Sequence, residues 1–295
     1  MKLQISKNNF LNLDDSHANL KSSRVVIVPF GMEHSVSYGH GTAKGPEAII
    51  RASHEVELFD EELKCEPYKK IGVATLKAEK IASDGEGAIE QVREITSEIL
   101  SINKIPIILG GEHTLTAGVI QAMAKKYQDI TILHFDAHAD LRDSYLGNKF
   151  SHACVMRRCL DLKNVRLVQV GIRNISNEVE DGAEYDFWEK NQKRIKTYWA
   201  KDGFDIANKE FIKSLGEYVC ISFDVDCLDT SIMPSTGTPE PGGFSWYEVL
   251  KILRIVGDST NVVGMDFVEL SPVKNSIASD FLIAKLIYKA ISYCI

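Results

Sequence analysis

Residues 129–140 read DITILHFDAHAD, an apolar run that passes directly into alternating acids and histidines. The segment Ile130–Phe135 is β-branched and apolar enough to predict a strand buried on both faces. Side chains alternate between the two faces of a strand, so Asp136, His138 and Asp140 are expected to point the same way. Carboxylates and an imidazole are costly to bury without partners. The stretch therefore predicts a cation site at the carboxyl end of a buried strand.

Two neighbouring features refine this prediction. A solvent-facing edge strand would also carry polar residues, but the run before Asp136 is apolar on both faces. His134 lies on the same face one step deeper. We expect it to support a ligand or to pack in the core rather than to bind the cation itself.

Strand and helix patterns alternate along the rest of the chain. Further buried strands are predicted at 24–30, 105–109, 166–170, 218–223 and 262–267. Helices are predicted at 45–51, 85–103, 114–128, 246–256 and 279–293, with a polar, helix-rich stretch over 189–217. This alternation predicts an α/β fold with a mostly parallel sheet and helices on both faces. We expect one domain over residues 1–295, with a polar lead-in at 1–22.

The composition excludes several classes of protein. The formal net charge is −7, whereas a nucleic-acid-binding protein would be expected to carry a basic patch. No apolar run approaches the roughly 20 residues of a membrane span, and the N-terminus lacks the apolar region of a signal peptide. The six cysteines form no C-x-x-C pair. We therefore expect a cytoplasmic protein with reduced thiols that binds neither nucleic acid nor membrane.

Further polar residues follow other predicted strands. Active sites of open parallel sheets lie beyond the carboxyl ends of the strands, so these side chains are expected to meet. Alone, His113 could be a helix cap and Asp224 a surface turn, but their joint occurrence favours a metal site. Four carboxylates and two imidazoles are more than one divalent ion needs, which predicts two ions about 3.5–4 Å apart. Mixed nitrogen and oxygen ligands without thiolate favour Mn²⁺. The expected ligands are His113, Asp136, His138, Asp140, Asp224 and Asp226.

The motifs at these strand ends resemble those of the ureohydrolase family, which includes arginases and agmatinases. The resemblance covers nearly the whole chain. Its segments are 41–51, 110–115, 134–141, 222–226, 237–243 and 266–272. It implies a three-layer α/β/α fold with an eight-stranded parallel sheet, and a homotrimer or homohexamer.

The resemblance also implies a binuclear manganese site with two Mn²⁺ per subunit. One ion would be held by His113, Asp136, Asp140 and Asp224. The other would be held by Asp136, His138, Asp224 and Asp226. Asp136 and Asp224 would then bridge the two ions.

Within the family, the loop at 151–154 looks like the agmatinase type. Arginases usually carry Asn two positions after the ligand that matches Asp140, where it helps to bind the α-carboxylate of the substrate. Here that position is Arg142, so the arginase recognition pattern is absent. A second departure is Asp229-Thr230, where the family usually has Asp-Pro, but this change touches no expected ligand.

The implied chemistry assigns further roles to four residues. Glu269 is expected to pair with the guanidinium group of the substrate. Asp140 would bind metal and accept a proton from the attacking hydroxide. His152 is the candidate proton shuttle to the leaving amine. Thr238 could hydrogen-bond a substrate nitrogen. The products would be urea and an amine.

The leading hypothesis is hydrolysis of agmatine to urea and putrescine. N1-aminopropylagmatine, 4-guanidinobutyrate and arginine remain alternative substrates, because Arg142 and Lys149 could bind a carboxylate tail and Asp143 an amine tail. A zinc amidohydrolase of the deacetylase type would have one metal and fewer carboxylates. A non-catalytic protein that binds guanidino ligands is the alternative of a different class.

Overall fold

The sheet at the centre of the computed structural model contains eight strands. The structure describes residues 3–204 and 209–295. In chain order the strands are β1 (Val25–Phe30), β2 (Val73–Thr75), β3 (Ile105–Gly110), β4 (Ile130–Phe135), β5 (Val165–Ile172), β6 (Ile195–Trp199), β7 (Tyr218–Asp224) and β8 (Asn261–Val268). Their spatial order is β2-β1-β3-β8-β7-β4-β5-β6, and the neighbouring pairs are parallel. The predicted parallel, eight-stranded α/β sheet is confirmed.

Helices connect these strands. They are α1 (Gly45–Ser53), α2 (Tyr68–Ile71), α3 (Gly85–Ser101), α4 (Thr116–Lys126), α5 (Val155–Leu160), α6 (Glu184–Lys190), α7 (Lys209–Leu215), α8 (Trp246–Ser259) and α9 (Ala278–Cys294). Local sequence explains where several of them begin. Pro46 lies in the first turn of α1, where its missing N–H costs nothing. The carboxylate of Asp84 accepts the N–H of Gly87 at 2.8 Å and caps α3. Across the described ranges, no helix combines the length and apolarity needed to cross a bilayer.

Two hydrophobic cores lie on opposite faces of the sheet. Val25 and Ile27 of β1 pack in the core that holds the apolar residues of α1, α8 and α9. Val26 and Val28 point to the other core, formed with α3, α4 and α5. This alternation follows from the pleat of the strand. The molecule therefore has the three layers that the resemblance implied, and all six cysteines are free thiols.

Two strands and one segment differ from the sequence predictions. β2 is only three residues long, too short to give a pattern, and it was not predicted. The stretch 189–217 was predicted to be rich in helix, but it contains edge strand β6, in which only Ile195 is fully buried, Lys196 is exposed and the rest are half-buried. Residues 205–208 of that stretch lie outside the described residues, as do 1–2 of the N-terminal lead-in. The rest of that lead-in buries apolar side chains, including Phe10 and Leu11.

Candidate metal centre

The strand order brings the predicted polar residues to one edge of the sheet. Strands β3, β8, β7 and β4 are consecutive neighbours. Because they are parallel, their carboxyl ends meet at that edge. β3 leads to His113, β8 to Glu269, β7 to Asp224 and β4 to Asp136. Residues far apart in the chain thus converge on one site.

One half of the site is organised around His113. Its Nδ1 atom lies 3.2 Å from Asp136 Oδ2 and 3.3 Å from Oδ2 of both Asp140 and Asp224. Nδ1 is buried and has no hydrogen-bond partner within the described ranges. Ligand atoms on a small divalent ion lie about 3 Å apart, because each is about 2.1 Å from the ion. The spacing and the unpartnered nitrogen both fit a metal ion held by these residues.

The other half of the site is organised around His138. Its Nδ1 atom lies 2.9 Å from Asp226 Oδ2 and 3.5 Å from Asp136 Oδ1. Asp136 thus turns one oxygen toward each histidine. Asp224 turns Oδ2 toward His113, and its Oδ1 accepts the backbone N–H of Asp226 at 2.9 Å. The structure thus brings the residues of both implied ligand sets together, and their division between two metal ions stays a prediction.

The electrostatics of the cluster call for added positive charge. Burial raises the pKa of Asp224 well above its ordinary value, and the nearby carboxylates of Asp226 and Asp136 add to that shift. Burial lowers the pKa of His138, but Asp226 and Asp136 outweigh it and raise this pKa to about 12. Burial likewise opposes protonation of His113, yet its surrounding carboxylates raise its pKa well above normal. Divalent cations would replace these protons, which fits a metal site.

The segment after β4 is not the extended strand that the sequence analysis predicted. β4 ends at Phe135, so Asp136, His138 and Asp140 follow the strand instead of extending it. Asp140 has a φ of 54°, in the left-handed region. Asp226 lies in the 3₁₀ turn Val225–Cys227. The expectation of a shared face from strand pleating was therefore wrong, although the side chains do converge. Strained backbone of this kind is characteristic of functional sites.

Buried polar side chains on neighbouring strands contact the predicted ligands from within the sheet. His134 of β4 pairs in register with Ser222 of β7 and Gln169 of β5. Its Nε2 atom lies 2.7 Å from Asp136 Oδ2, and its Nδ1 atom lies 3.1 Å from the amide nitrogen of Gln169. His134 also lies within the group of His113, Asp136 and Asp140 whose ligand atoms are close enough to hold a metal ion, so its supporting role stays a prediction. Gln169 and Ser222 were missed, although a polar residue within an apolar strand run is a recognisable pattern.

A cavity of about 430 Å³ opens above the cluster. Its lining includes all nine residues that the sequence analysis predicted to bind metal, to bind the guanidino group or to take part in catalysis. They are His113, Asp136, His138, Asp140, His152, Asp224, Asp226, Thr238 and Glu269. The carboxylate of Glu269 accepts the backbone N–H of His113 at 2.7 Å. Burial raises the pKa of Glu269 to about 8, while that hydrogen bond opposes the shift. Glu269 also has a φ of 65°, so it shares the left-handed backbone of Asp140.

Glu184 is a further buried acid of this cavity that the sequence did not reveal. Its two carboxylate oxygens accept the N–H of Leu141 at 2.7 Å and of Ser176 at 2.8 Å. Burial raises its pKa to about 7. Glu184 thereby joins the loop that follows Asp140 to the loop that follows β5.

The rim of the cavity carries an excess of acid. Arg142 is the single Lys or Arg among the lining residues of the described chain. Its guanidinium is paired with Asp181, lies 3.8 Å from Glu178 and stacks over Tyr145 at 4.9 Å. Asp143 is paired with Arg158 at 2.6 Å. Neither Asp143 nor Lys149 is among the lining residues in the described part of the chain.

Comparisons with known proteins agree with this fold. The profile of the Arginase family matches residues 23–292. The N(1)-aminopropylagmatine ureohydrolase of Synechocystis sp. is 36% identical over 278 residues, which cover 91% of this chain and 88% of that protein. The agmatinase of Bacillus cereus is 34% identical over 272 residues, with 88% and 87% covered. The crystal structure of the agmatine ureohydrolase of Thermoplasma volcanium superposes with a TM-score of 0.83 at 28% identity, covering 100% of this chain and 95% of that one.

The parallel sheet and its histidine–aspartate cluster define an α/β protein with a site suited to metal ions. The family match and the relatives then place it more closely. The chain belongs to the arginase family, and it is a hydrolase that acts on the C–N bonds of amidines.

Proposed function

We propose that this protein hydrolyses the guanidino group of a substrate whose tail carries an amine, releasing urea. Agmatine is the first candidate, with putrescine as the second product. The family and the relatives named agmatinase and N(1)-aminopropylagmatine ureohydrolase support guanidino hydrolysis. The charge of the cavity supports an amine tail.

The pairing of Arg142 carries the argument for the tail. A carboxylate tail, as in arginine or 4-guanidinobutyrate, needs a free cation at the rim. Arg142 is the one candidate among the described lining residues, and Asp181 and Glu178 already compensate its charge. Glu178 and Glu240 line the cavity in addition to the metal cluster. A positively charged tail is therefore the better match.

Two Mn²⁺ ions per subunit are the proposed cofactor. His113, Asp136, Asp140 and Asp224 would hold one ion, and Asp136, His138, Asp224 and Asp226 the other. When bound, such a pair of ions lowers the pKa of water enough to supply hydroxide near neutral pH. Oxygen and imidazole donors without thiolate suit Mn²⁺.

The protein's own residues would orient the substrate and move protons. Glu269 would pair with the guanidinium group, since charge-assisted pairs of this kind are strong and directional. Asp140 would accept the proton released as water adds to the guanidinium carbon. The C–N bond to the tail then breaks, and His152 would protonate the leaving nitrogen. Thr238, which is exposed on the cavity wall, would hydrogen-bond a substrate nitrogen.

N1-aminopropylagmatine is the second candidate substrate. Its longer tail carries one more ammonium group than the tail of agmatine. Glu178, with a side chain 74% exposed, and Glu240 offer carboxylates on the cavity wall for such a group. A relative at 36% identity carries the name of this activity.

Self-association into a homotrimer or homohexamer is also proposed. Apolar side chains at the start of α9 and just before it are exposed, including Val273 at 51% and Ile277 at 79%. Contiguous exposed apolar surface often marks an interface. Sedimentation of the full chain would separate these states from a monomer.

Urea release after Mn²⁺ reconstitution is the decisive experiment. Agmatine, N1-aminopropylagmatine, 4-guanidinobutyrate and arginine would be compared at equal concentration, with Asp136→Asn as the inactive control. We expect the two amine-tailed substrates to be cleaved with the higher kcat/KM. Glu178→Gln should raise KM for the longer amine substrate, whereas Glu180→Gln on the same loop should not. Preference for a carboxylate-tailed substrate would overturn the proposed tail, and binding of guanidino ligands without urea would overturn catalysis.

A further inference from the structure

A buried carboxylate outside the ligand set lies next to the metal cluster. Glu112 is completely buried and precedes His113. Its Oε2 atom accepts the backbone N–H groups of His34 at 2.5 Å and Ser35 at 2.6 Å. Its Oε1 atom accepts the hydroxyl of Ser35 at 2.9 Å. Glu112 therefore fixes the loop after β1 against the turn that carries His113.

The hydroxyl of Ser35 connects Glu112 to His152. Ser35 Oγ lies 3.0 Å from the backbone nitrogen of His152 and 3.2 Å from its Nδ1 atom. A hydroxyl has one proton to donate and two lone pairs to accept with. The proton goes to Glu112, because a carboxylate only accepts. One lone pair takes the backbone N–H of His152, and the other is left for a proton on Nδ1.

Two longer contacts do not change this assignment. Thr114 Oγ1 lies 3.4 Å from Ser35 Oγ, farther than the three contacts that already satisfy that hydroxyl. Ser151 Oγ lies 3.4 Å from His152 Nδ1. The ring of His152 also packs edge-on against Tyr145, with 5.9 Å between ring centroids. The imidazole is thus held in place on the side of Nδ1.

We infer that Ser35 and Glu112 are positioning residues that fix the tautomer of His152. The neutral ring carries its proton on Nδ1, so Nε2 is the nitrogen that exchanges protons with the substrate. No residue in 3–204 or 209–295 hydrogen-bonds Nε2, and the ring lines the cavity. The inference rests on the proposed function only in giving His152 the role of proton shuttle.

The proton transfer balances with this arrangement. When the C–N bond to the tail breaks, its electron pair stays on the leaving nitrogen. That nitrogen takes the proton from Nε2 of the imidazolium. The ring is left neutral, with its remaining proton on Nδ1 and donated to Ser35. Glu112 and Ser35 end the step in the protonation states in which they began.

Glu112→Gln gives a specific test, because it should reverse the direction of the relay. The two backbone N–H groups require an acceptor, so the amide oxygen of Gln would face them. Its NH₂ group would then donate to Ser35. Ser35 would in turn donate to Nδ1, which moves the ring proton of His152 to Nε2. No change in the position of any heavy atom is needed.

Nitrogen-15 NMR of histidine-labelled full chain would report the tautomer directly. Spectra would be recorded above the titration of the ring, both metal-free and with diamagnetic Zn²⁺, and His152→Asn would assign the resonance. We expect Nδ1–H in the wild type and in Ser35→Thr, Nε2–H in Glu112→Gln, and a mixture in Ser35→Ala. Thr114→Val, which removes only the 3.4 Å contact, should leave Nδ1–H unchanged. A wild-type proton on Nε2, or an unchanged tautomer in both Glu112→Gln and Ser35→Ala, would overturn the inference.

Kinetics separate this inference from the proposed function. If urea is released, Ser35→Ala and Glu112→Gln should lower kcat on the order of tenfold with little change in KM, and Ser35→Thr should restore most of it. Full kcat in Ser35→Ala beside an inactive His152→Asn would contradict the relay. The expected tautomers without urea from any guanidino substrate would contradict the proposed function while supporting the relay.

Discussion

The Nε2 atom of His113 lies 2.8 Å from the hydroxyl oxygen of Ser222. Ser222 donates in turn to Asp266 Oδ1 at 2.8 Å. Because its one proton goes to Asp266, the hydroxyl must accept from Nε2–H of the neutral histidine. Nδ1 of His113 is then free of a proton and faces the carboxylates. The same order of groups recurs at Glu112, Ser35 and His152, but there the serine contacts Nδ1 and leaves Nε2 free.

Ser222→Ala should weaken metal binding without removing a ligand. Loss of the hydroxyl leaves the tautomer of His113 unfixed, and changes of this kind cost about 10–100-fold in metal affinity. Titration calorimetry with Mn²⁺ would measure the change in Kd. Ser279→Ala, which also removes a buried hydroxyl but lies at the start of α9, is the matched control and should leave Kd unchanged. An unaltered Kd in Ser222→Ala would contradict this role.

Removing a ligand from one half of the site should release about one metal ion and leave the other bound. His113→Asn removes a ligand from one half and Asp226→Asn from the other, so each should retain about one ion per chain after dialysis where the wild type retains about two. Asp136→Asn, which faces both histidines, should lower both. Elemental analysis of the dialysed protein would give these values. Asp161→Asn, with a side chain 63% exposed, serves as the control. Loss of both ions in Asp226→Asn would show that the halves do not bind independently.

Asp181→Asn should shift substrate preference toward a carboxylate tail. The variant leaves the guanidinium of Arg142 without its nearest anion, while Glu178 at 3.8 Å remains. We expect kcat/KM for 4-guanidinobutyrate to rise relative to agmatine, by roughly 5–10-fold for a gain of about 1 kcal/mol. Competition between the two substrates would measure the ratio. Glu180→Gln makes the same change in charge one residue away, and an equal shift there would mean that net charge, not release of Arg142, is responsible.

The sequence predicts those parts of the site whose residues lie close together along the chain. Asp136, His138 and Asp140 lie within one short motif, and their chemistry alone indicates a cation. The role of Ser222 can be inferred only from strand pairing, which places it beside His134 and Asp266 on neighbouring strands. Strand order joins residues 44 to 109 positions apart in the chain, and no local sequence pattern predicts that order.

The charge at the rim of the cavity also depends on a contact between residues far apart in the chain. Arg142 was left open as a partner for a carboxylate tail, because its own partner could not be known. Asp181, which neutralises it, is 39 residues away in the short 3₁₀ turn Val179–Asp181, which no sequence pattern predicted. Edge strand β6 was also missed, since only Ile195 in it is fully buried and it contains no continuous apolar run. The central strands, buried on both faces, were predicted because their apolar runs are long and continuous.

Lys289→Met should destabilise the fold far from the site. Lys289 is 2% exposed, and its Nζ atom lies 3.1 Å from Asp60, which is also buried. Removing the lysine leaves that carboxylate without its charge partner, which typically costs about 3–5 kcal/mol in the free energy of unfolding. Equilibrium unfolding would measure the loss, and Asp60→Asn in the same chain should recover part of it. Lys190→Met breaks an exposed pair with Asp186 and should change stability by less than about 1 kcal/mol.

Glu184 should make the stability of the metal-free protein depend on pH near neutrality. Its pKa is about 7 in the folded chain, raised from 4.5 by burial. Between these values the folded state binds more protons than the unfolded state, so the free energy of unfolding falls as pH rises. From pH 5 to pH 8 this single group accounts for a loss of about 2–3 kcal/mol.

Glu184→Gln removes that titration and isolates its contribution. As pH rises, the free energy of unfolding of the wild type should therefore fall relative to that of the variant. The difference should level off above pH 8. Urea unfolding of both proteins at four pH values would measure it. Bound metal should reduce the shift, because the nearby charge of Asp140 raises the same pKa and would be compensated. A difference that stays constant from pH 5 to pH 8 would mean that Glu184 is ionised throughout, held so by the N–H groups of Leu141 and Ser176.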